Sequence, residues 1–286
     1  MCVGGLGGGH QATYMKSVMA EAKLKGFQVV FLLFRATGDM PVQSDKMYCL
    51  LSWKDVKEPS DYLFKTYCEK QGRRMYLYSC SLGGGISTHY LMNDDANTPY
   101  SGSVSYGTPM NPAMTVPMFK TRLGGLYDWG LGFHLNLKIR EQLPFLAKHT
   151  TKEKMAIYTN GLYNESFRLT SIDSHIIAPM FGFKDSAEYY RAAKITGNLH
   201  KITKAPAMFL QSWDDILMIP ESFPVDEFKS NPNLLLAMTA RGGHCCHLTH
   251  SSRKLTGFAA LDWLACIFPS SKWFAYPIVD FLATIE

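Results

Sequence analysis

The chain alternates between short apolar runs and segments whose apolar residues fall at helical spacing. Residues 29–34 carry no polar side chain, which is typical of a strand buried on both faces of a parallel sheet. Further strands are predicted at 75–80, 102–106, 207–211 and 234–239. Helices are predicted at 15–22, 52–71, 86–92, 221–229 and, broken around Pro269 and Pro277, at 255–285. Strands that alternate with helices predict a mostly parallel sheet flanked by helices.

Residues 111–199 interrupt this alternation and are rich in Met, aromatic residues and isolated Gly and Pro. We expect this segment to be mostly helical. A helical insertion between two halves of a parallel sheet is expected to cover the carboxyl edge, where ligands bind. We therefore predict one domain over residues 1–286, with a core of residues 1–110 and 200–286 and a helical lid at about 111–199.

The composition is that of an ordinary globular protein, with 47% hydrophobic and 19% charged residues among 286. The net charge of +5 is spread without a run of five like charges, so no nucleic-acid partner is expected. The most apolar stretch, residues 257–268, is too short to span a membrane and contains Asp262. Seven cysteines without framework spacing favour a reducing compartment.

A candidate nucleophile follows the strand at residues 75–80. Ser81 stands in a strand–turn–helix segment with Gly83 two residues later, as in a nucleophile elbow, where the turn is too tight for large neighbours. Ser79 occupies the position two residues before, where Gly is usual, and is the weaker candidate. At the start of the next helix, the backbone N–H of Leu82 is a candidate oxyanion-hole donor.

A glycine-rich loop at residues 4–9 opens the chain. Such a loop can present backbone N–H groups to negative charge, and we assign the second oxyanion donor to the N–H of Leu6. A Walker phosphate loop is excluded because no Lys-Ser/Thr pair directly follows the last glycine. A dinucleotide-binding loop is the weaker alternative, because Arg35 rather than an acidic residue ends the next strand.

A candidate acid and a candidate base follow the last two strands. Asp214 and Asp215 follow the strand at 207–211, and His244 follows a glycine pair after the strand at 234–239. Because loops after parallel strands meet at one edge, Ser81, His244 and an Asp are expected to converge as nucleophile, general base and orienting acid. We favour Asp215 over Asp214, which then serves as a loop residue.

Residues 244–247 read His-Cys-Cys-His, and His250 follows, which raises the alternative of a metal site. Consecutive residues point in different directions, and no second ligand cluster of suitable spacing occurs. We therefore expect Cys245 and Cys246 to be small packing residues, and we predict no metal and no cofactor.

Several of these segments are similar to the YheT-type α/β-hydrolases, a family that includes the mammalian ABHD lipid hydrolases and a plant embryogenesis-associated group. The resemblance is carried by residues 5–8 with Tyr14, residues 34–38, 81–84, 181–185 and 189–193, and the approach to Asp214 and Asp215. It implies an α/β-hydrolase fold and hydrolysis of carboxylic esters, with lipid esters or phospholipids among the substrates of some members.

The chain departs from the family at three positions and at its start. Gly4 replaces His or Pro, while Ala36 and Ser79 replace Gly. Family members also carry strands before the first loop, so we expect either a fragment of a longer chain or a sheet that lacks its first strands. These departures motivate an alternative, a catalytically inactive binding or scaffold protein with the same fold.

The leading hypothesis is a serine hydrolase that cleaves small ester or lipid substrates through an acyl-enzyme. Met and aromatic residues of the insertion suit an acyl-binding pocket, although each is equally consistent with helix core. The candidate pocket residues are Met114, Met118, Phe119, Leu123, Leu126, Tyr127, Trp129 and Phe133. No partner protein is predicted. Peripheral membrane association is left open, as is a cytoplasmic or membrane-associated location.

Overall fold

A computed structural model describes residues 1–38, 40–247 and 272–285. Its centre is a parallel sheet with the strand order β2-β1-β3-β4-β5-β6. The strands are β1 (Cys2–Val3), β2 (Phe31–Leu32), β3 (Met75–Cys80), β4 (Tyr100–Tyr106), β5 (Ala207–Ser212) and β6 (Leu234–Thr239). The predicted parallel sheet flanked by helices is confirmed. Only β2 is much shorter than predicted, because it pairs solely with the two residues of β1.

The helices that flank or follow the strands come in chain order, with shorter helical turns between them. They are α1 (Thr13–Leu24), α2 (Lys54–Leu63), α3 (Leu82–Asp94), α4 (Pro112–Thr115), α5 (Leu126–Leu146), α6 (Lys152–Tyr163), α7 (Leu169–Ile172), α8 (Ala178–Met180), α9 (Ser186–Ala192), α10 (Val225–Ser230) and α11 (Ala275–Ala283). Among the described helices, none combines the length and the apolar character needed to cross a bilayer.

A break in the last helical stretch was predicted around Pro277, and α11 begins two residues before this proline, at Ala275. Pro277 lies inside α11, at its third residue. The first N–H groups of a helix have no intrahelical acceptor, so a proline there removes no hydrogen bond. Pro269, where the second break was predicted, lies outside the described residues.

Both faces of the sheet are buried by helices. On one face, Tyr78 and Cys80 of β3 contact a cluster that includes Met15 of α1 and Ile278 of α11. On the other face, Leu77 lies in a cluster with residues of α2 and α3. This alternation along β3 follows from the period-two geometry of a strand.

The register of the sheet brings three strand ends to one edge. Cys80 of β3 lies opposite Tyr106 of β4, and Ser212 of β5 lies opposite Thr239 of β6. The loops that follow β3, β5 and β6 therefore leave the sheet at the same edge. The segment between β4 and β5 contains α4 to α9 and no strand among its residues.

Candidate active site

Ser81 lies at the junction between β3 and α3 in a strained backbone conformation. Its φ of 52° falls in a left-handed region that side-chain-bearing residues rarely adopt. Its backbone N–H donates a 2.7 Å hydrogen bond to the carbonyl of Tyr106 at the end of β4. A methyl group on Gly83 would collide with the carbonyl oxygen of Gly4. The turn therefore requires the glycine at 83, as a nucleophile elbow does.

Ser79 is accommodated where glycine is usual. Its side chain is fully buried, and its Oγ lies 3.2 Å from Oγ of Ser105 on β4. The extra hydroxyl thus has a hydrogen-bond partner and does not displace the turn at Ser81.

The structure brings Ser81, His244 and Asp215 into one hydrogen-bonded chain. Ser81 Oγ lies 2.8 Å from Nε2 of His244. His244 Nδ1 lies 2.8 Å from Oδ2 of Asp215. Asp215 is buried, with 5% of the residue exposed, and its Oδ1 accepts a 2.8 Å hydrogen bond from the N–H of Leu217. Because a carboxylate only accepts, Nδ1 carries the proton and Nε2 is free to accept from Ser81.

Two opposing effects act on the charge of His244. Burial disfavours the charged imidazolium, whereas an ionised Cys245 beside the ring and the Asp215 carboxylate against Nδ1 raise the pKa of His244 above its ordinary value. The neighbouring Cys245 supplies no charge at neutral pH, because burial raises the pKa of its thiol well above the usual range. Asp215 is therefore the group that stabilises a protonated His244.

Asp214 has a different role from Asp215. Its Oδ1 accepts a 2.8 Å hydrogen bond from the N–H of Gly243 and another from the hydroxyl of Ser212. These hydrogen bonds lower the pKa of Asp214, with Ser212 contributing most. Asp214 thus fixes the loop that carries His244 without contacting the imidazole.

The glycine-rich loop lies directly against the nucleophile. A side-chain carbon on Gly5 would be 3.0 Å from Cβ of Ser81. Two tyrosine hydroxyls fix the loop: Tyr14 accepts from the N–H of Gly5 at 3.2 Å, and Tyr48 accepts from the N–H of Gly7 at 2.9 Å. No sequence pattern predicts the role of Tyr48, because it lies in an irregular segment remote from every motif.

Leu6 and Leu82 line the same cavity as Ser81. Leu82 is the first residue of α3, so its N–H has no intrahelical acceptor. Among the described residues, the N–H of Leu6 donates to no other group. Both N–H groups thus lack a protein acceptor among these residues, which an oxyanion donor requires.

A cavity of about 320 Å³ opens above Ser81 and His244. The sheet edge forms one wall, and residues of the insertion form the other. Phe119 lines it as expected, but α5 contributes Leu131 and Leu135 instead of the residues predicted. The pocket assignment was wrong for six exposed side chains: Met114, Met118, Leu123, Leu126, Trp129 and Phe133. Tyr127 does not line the cavity either.

The side chains of the His-Cys-Cys-His segment contact different groups. His247 lies between the hydroxyls of Tyr106, at 2.8 Å, and Thr239, at 2.6 Å. Cys245 is buried with its sulfur 3.2 Å from that of Cys80. Cys246 is exposed, so its prediction as a packing residue was wrong. Within the described ranges, no group of three or more His, Cys, Asp or Glu could hold a metal ion; His250 lies outside them.

Asp173 also lines the cavity, although it was not among the predicted site residues. It is 8% exposed and begins a π-helical turn, Asp173–Ile177, between α7 and α8. A lone Asp in a helical region is usually solvated, so only the fold reveals its burial.

Comparison with known proteins gives relatives over most of the chain. An abhydrolase domain-containing protein of Dictyostelium discoideum is 30% identical over 266 residues, covering 91% of this chain and 65% of that protein. A monoacylglycerol lipase of Saccharomyces cerevisiae is 24% identical over 282 residues, covering 97% of this chain and 57% of the lipase. The chain thus spans a little over half to just under two thirds of the length of these relatives. No protein-family model matches it.

Solved structures share the arrangement of strands and helices. An esterase of Pyrococcus furiosus superposes with a TM-score of 0.54 at 17% identity, covering 98% of this chain and 80% of the esterase. Such a likeness establishes the fold, and the predicted α/β-hydrolase fold is confirmed. This chain therefore has the α/β-hydrolase fold, and it is similar in sequence to proteins named as hydrolases over most of its length.

Proposed function

We propose that this protein is a serine hydrolase that cleaves carboxylic esters through an acyl-enzyme on Ser81. The observation that carries the proposal is the hydrogen-bonded chain from Ser81 through His244 to Asp215 at the mouth of an apolar cavity. A buried carboxylate, a correctly oriented imidazole and a strained serine are the parts that nucleophilic acyl transfer requires.

In the first half of the reaction, Ser81 Oγ attacks the ester carbonyl carbon while His244 Nε2 takes its proton. Asp215 stabilises the imidazolium that forms. The negative charge on the carbonyl oxygen is met by the N–H groups of Leu6 and Leu82. His244 then gives its proton to the departing alkoxide oxygen, which leaves as the alcohol and leaves the acyl group on Ser81.

In the second half, water replaces the alcohol. His244 takes a proton from the water, whose oxygen attacks the acyl carbon of the acyl-enzyme. The tetrahedral species collapses as the imidazole returns the proton to Ser81 Oγ, and the carboxylic acid is released.

The cavity supports acyl esters of lipids or medium-chain acids as substrates. Its walls are mostly aliphatic and aromatic, which favours an acyl chain. A relative named as a monoacylglycerol lipase is consistent with such substrates. We further propose that the chain is one domain of the YheT-type branch, on the motifs at residues 34–38 and 181–185, with the α4–α9 segment as its lid.

The inactive-scaffold alternative is not favoured. One of its motives was crowding at Ser79, and that hydroxyl is paired with Ser105. Gly4, the second motivating position, provides the carbonyl against which Gly83 fits.

The direct test is covalent labelling with a fluorophosphonate probe, followed by peptide mass spectrometry. We expect label on Ser81 in the natural protein and in the matched variant Ser79→Ala, and none in Ser81→Ala. Ester hydrolysis should follow the same pattern. Folded protein that takes no label at Ser81 and hydrolyses no ester would overturn the proposal.

We also propose that the protein associates peripherally with lipid surfaces through an outer stripe on α5, defined by Leu126, Trp129, Phe133 and Leu137. All four side chains are exposed by 43% or more. They recur every three or four residues, so they share one face of the helix. An exposed apolar stripe of this kind favours contact with a membrane.

A further inference from the structure

Asp173 is a buried acid that the ester-hydrolysis mechanism does not use. Its Oδ2 accepts a 2.6 Å hydrogen bond from the hydroxyl of Tyr190. Both residues line the cavity above Ser81, and both are more than nine-tenths buried. Within the described part of the chain, Oδ1 of Asp173 has no hydrogen-bond partner.

The neighbouring acid, Asp128, shows what a purely structural carboxylate looks like in this region. Its Oδ1 accepts a 2.9 Å hydrogen bond from the N–H of Thr170, and its Oδ2 accepts one of 2.9 Å from the hydroxyl of the same residue. Asp128 is fully buried and does not line the cavity. Asp173 differs in both respects, since one oxygen is unpaired and the side chain borders open space.

The burial of Asp173 changes its protonation. Burial raises the pKa of Asp173 to about 7, the nearby Asp128 adds to the rise, and the Tyr190 hydroxyl opposes it. Near neutral pH the side chain is therefore present both as an acceptor-only carboxylate and as a carboxylic acid that can donate. The free oxygen borders the cavity, so a ligand group with a hydrogen to donate could pair with it.

The surroundings select the chemistry of that group. A carboxylate ligand would be repelled by ionised Asp173. An ammonium group would bring three N–H donors into a cavity whose walls are mostly apolar, and most of those donors would be left unpaired. A hydroxyl brings one donor, which matches the single unpaired oxygen.

We propose that Asp173, positioned by Tyr190, is a specificity-determining residue that binds a hydroxyl group of the substrate. This inference rests on the proposed ester hydrolysis at Ser81. The hydroxyl belongs either to a hydroxylated acyl chain or to the alcohol part of the ester, as in a glyceride. Hydroxylated esters are bound at two points, the ester carbonyl at Ser81 and the hydroxyl at Asp173.

The test compares three esters with the same acyl length: ethyl decanoate, ethyl ω-hydroxydecanoate and monodecanoylglycerol. The protein is assayed as wild type, as Asp173→Asn, and as the double variant Asp173→Leu/Tyr190→Phe. Asn keeps a polar group toward the cavity and a partner for Tyr190. The double variant removes both polar partners together, so neither is left unpaired in the core.

We expect the ratio of kcat/KM for one hydroxylated ester to that for ethyl decanoate to fall about tenfold in the double variant. Asp173→Asn should retain most of the preference. The ester that loses its advantage identifies whether the hydroxyl lies on the acyl chain or on the alcohol. Fluorophosphonate labelling of Ser81 reports that each variant is folded. Unchanged ratios for both hydroxylated esters in a labelled double variant would overturn the inference.

A second readout separates this inference from the proposed function. Dissociation constants for the same three esters are measured with Ser81→Ala protein, with and without the double substitution. If the folded wild type takes no label at Ser81 and hydrolyses none of the esters, the proposed function fails, and the binding preference alone decides the role of Asp173. Tighter binding of a hydroxylated ester that is lost with Asp173 supports the inference; equal binding in both backgrounds refutes it.

Discussion

The carboxylate of Asp215 lies 2.8 Å from Nδ1 of His244 and holds the imidazole with its other nitrogen toward Ser81. The adjacent Asp214 contacts the backbone of the same loop instead. The two acids are neighbours in sequence and therefore form a matched pair for mutagenesis.

Asp215→Asn is expected to lower kcat by about 10⁴-fold, because an amide favours the wrong imidazole tautomer and cannot stabilise the imidazolium. Asp214→Asn removes one charge-assisted hydrogen bond to the loop and should cost about tenfold or less. Steady-state hydrolysis of a soluble p-nitrophenyl ester measures both. Equal losses in the two variants would argue against the assignment of Asp215 as the orienting acid.

The pH dependence of the reaction should report the pKa of His244. Only neutral imidazole can accept the proton of Ser81, so kcat/KM rises with pH through this pKa. Since the pKa of His244 is raised above its ordinary value of 6.5, the midpoint of the acidic limb should lie above pH 6.5. In Asp215→Asn the carboxylate is lost while burial remains, so the residual activity should have its midpoint at lower pH.

The profile of Asp214→Asn serves as the control and should keep a midpoint close to that of the wild type. An acidic limb that lies at the same pH in all three proteins would mean that Asp215 does not set the protonation of the base.

The outer stripe of α5 predicts binding to lipid vesicles. Trp129 and Phe133 are stacked with ring centroids 5.4 Å apart and are half exposed. Replacing both with Ser should weaken binding to phosphatidylglycerol–phosphatidylcholine vesicles about tenfold or more, since two large apolar side chains are lost from the contact. Flotation of the protein with vesicles measures the change.

Tyr62→Ser on α2 is the matched control, because Tyr62 is a similarly exposed aromatic residue, 62% accessible, outside the stripe. Hydrolysis of a soluble short-chain ester should be unchanged in both proteins. Vesicle binding that survives the double substitution intact would contradict the role of the stripe.

Much of the sheet could be predicted from local pattern. The predicted bounds of β3 and β6 agree residue for residue with Met75–Cys80 and Leu234–Thr239. Both are short apolar runs between polar or turn-forming residues. The strand predicted at residues 29–34 is reduced to Phe31–Leu32, because strand length at a sheet edge depends on the partner strand as well as on the residues themselves.

The positions of Ser81, Asp215 and His244 relative to one another could be expected from topology, because parallel strands end at a common edge. The residues that form the cavity wall could not be predicted. Helix α5 is apolar on both its inner face, with Leu131 and Leu135, and its outer face, with Trp129 and Phe133. Helical periodicity alone does not tell which of two apolar faces points inward.

The left-handed backbone of Ser81 has a consequence for how this protein responds to selection. Such a conformation raises the free energy of a residue with a side chain by about 1 kcal/mol or more, whereas glycine adopts it without strain. A library enriched only for heat resistance should therefore drift toward glycine at position 81. Its most heat-stable variants would lack the nucleophilic hydroxyl and hydrolyse no ester, so reactivity and thermal stability have to be screened together.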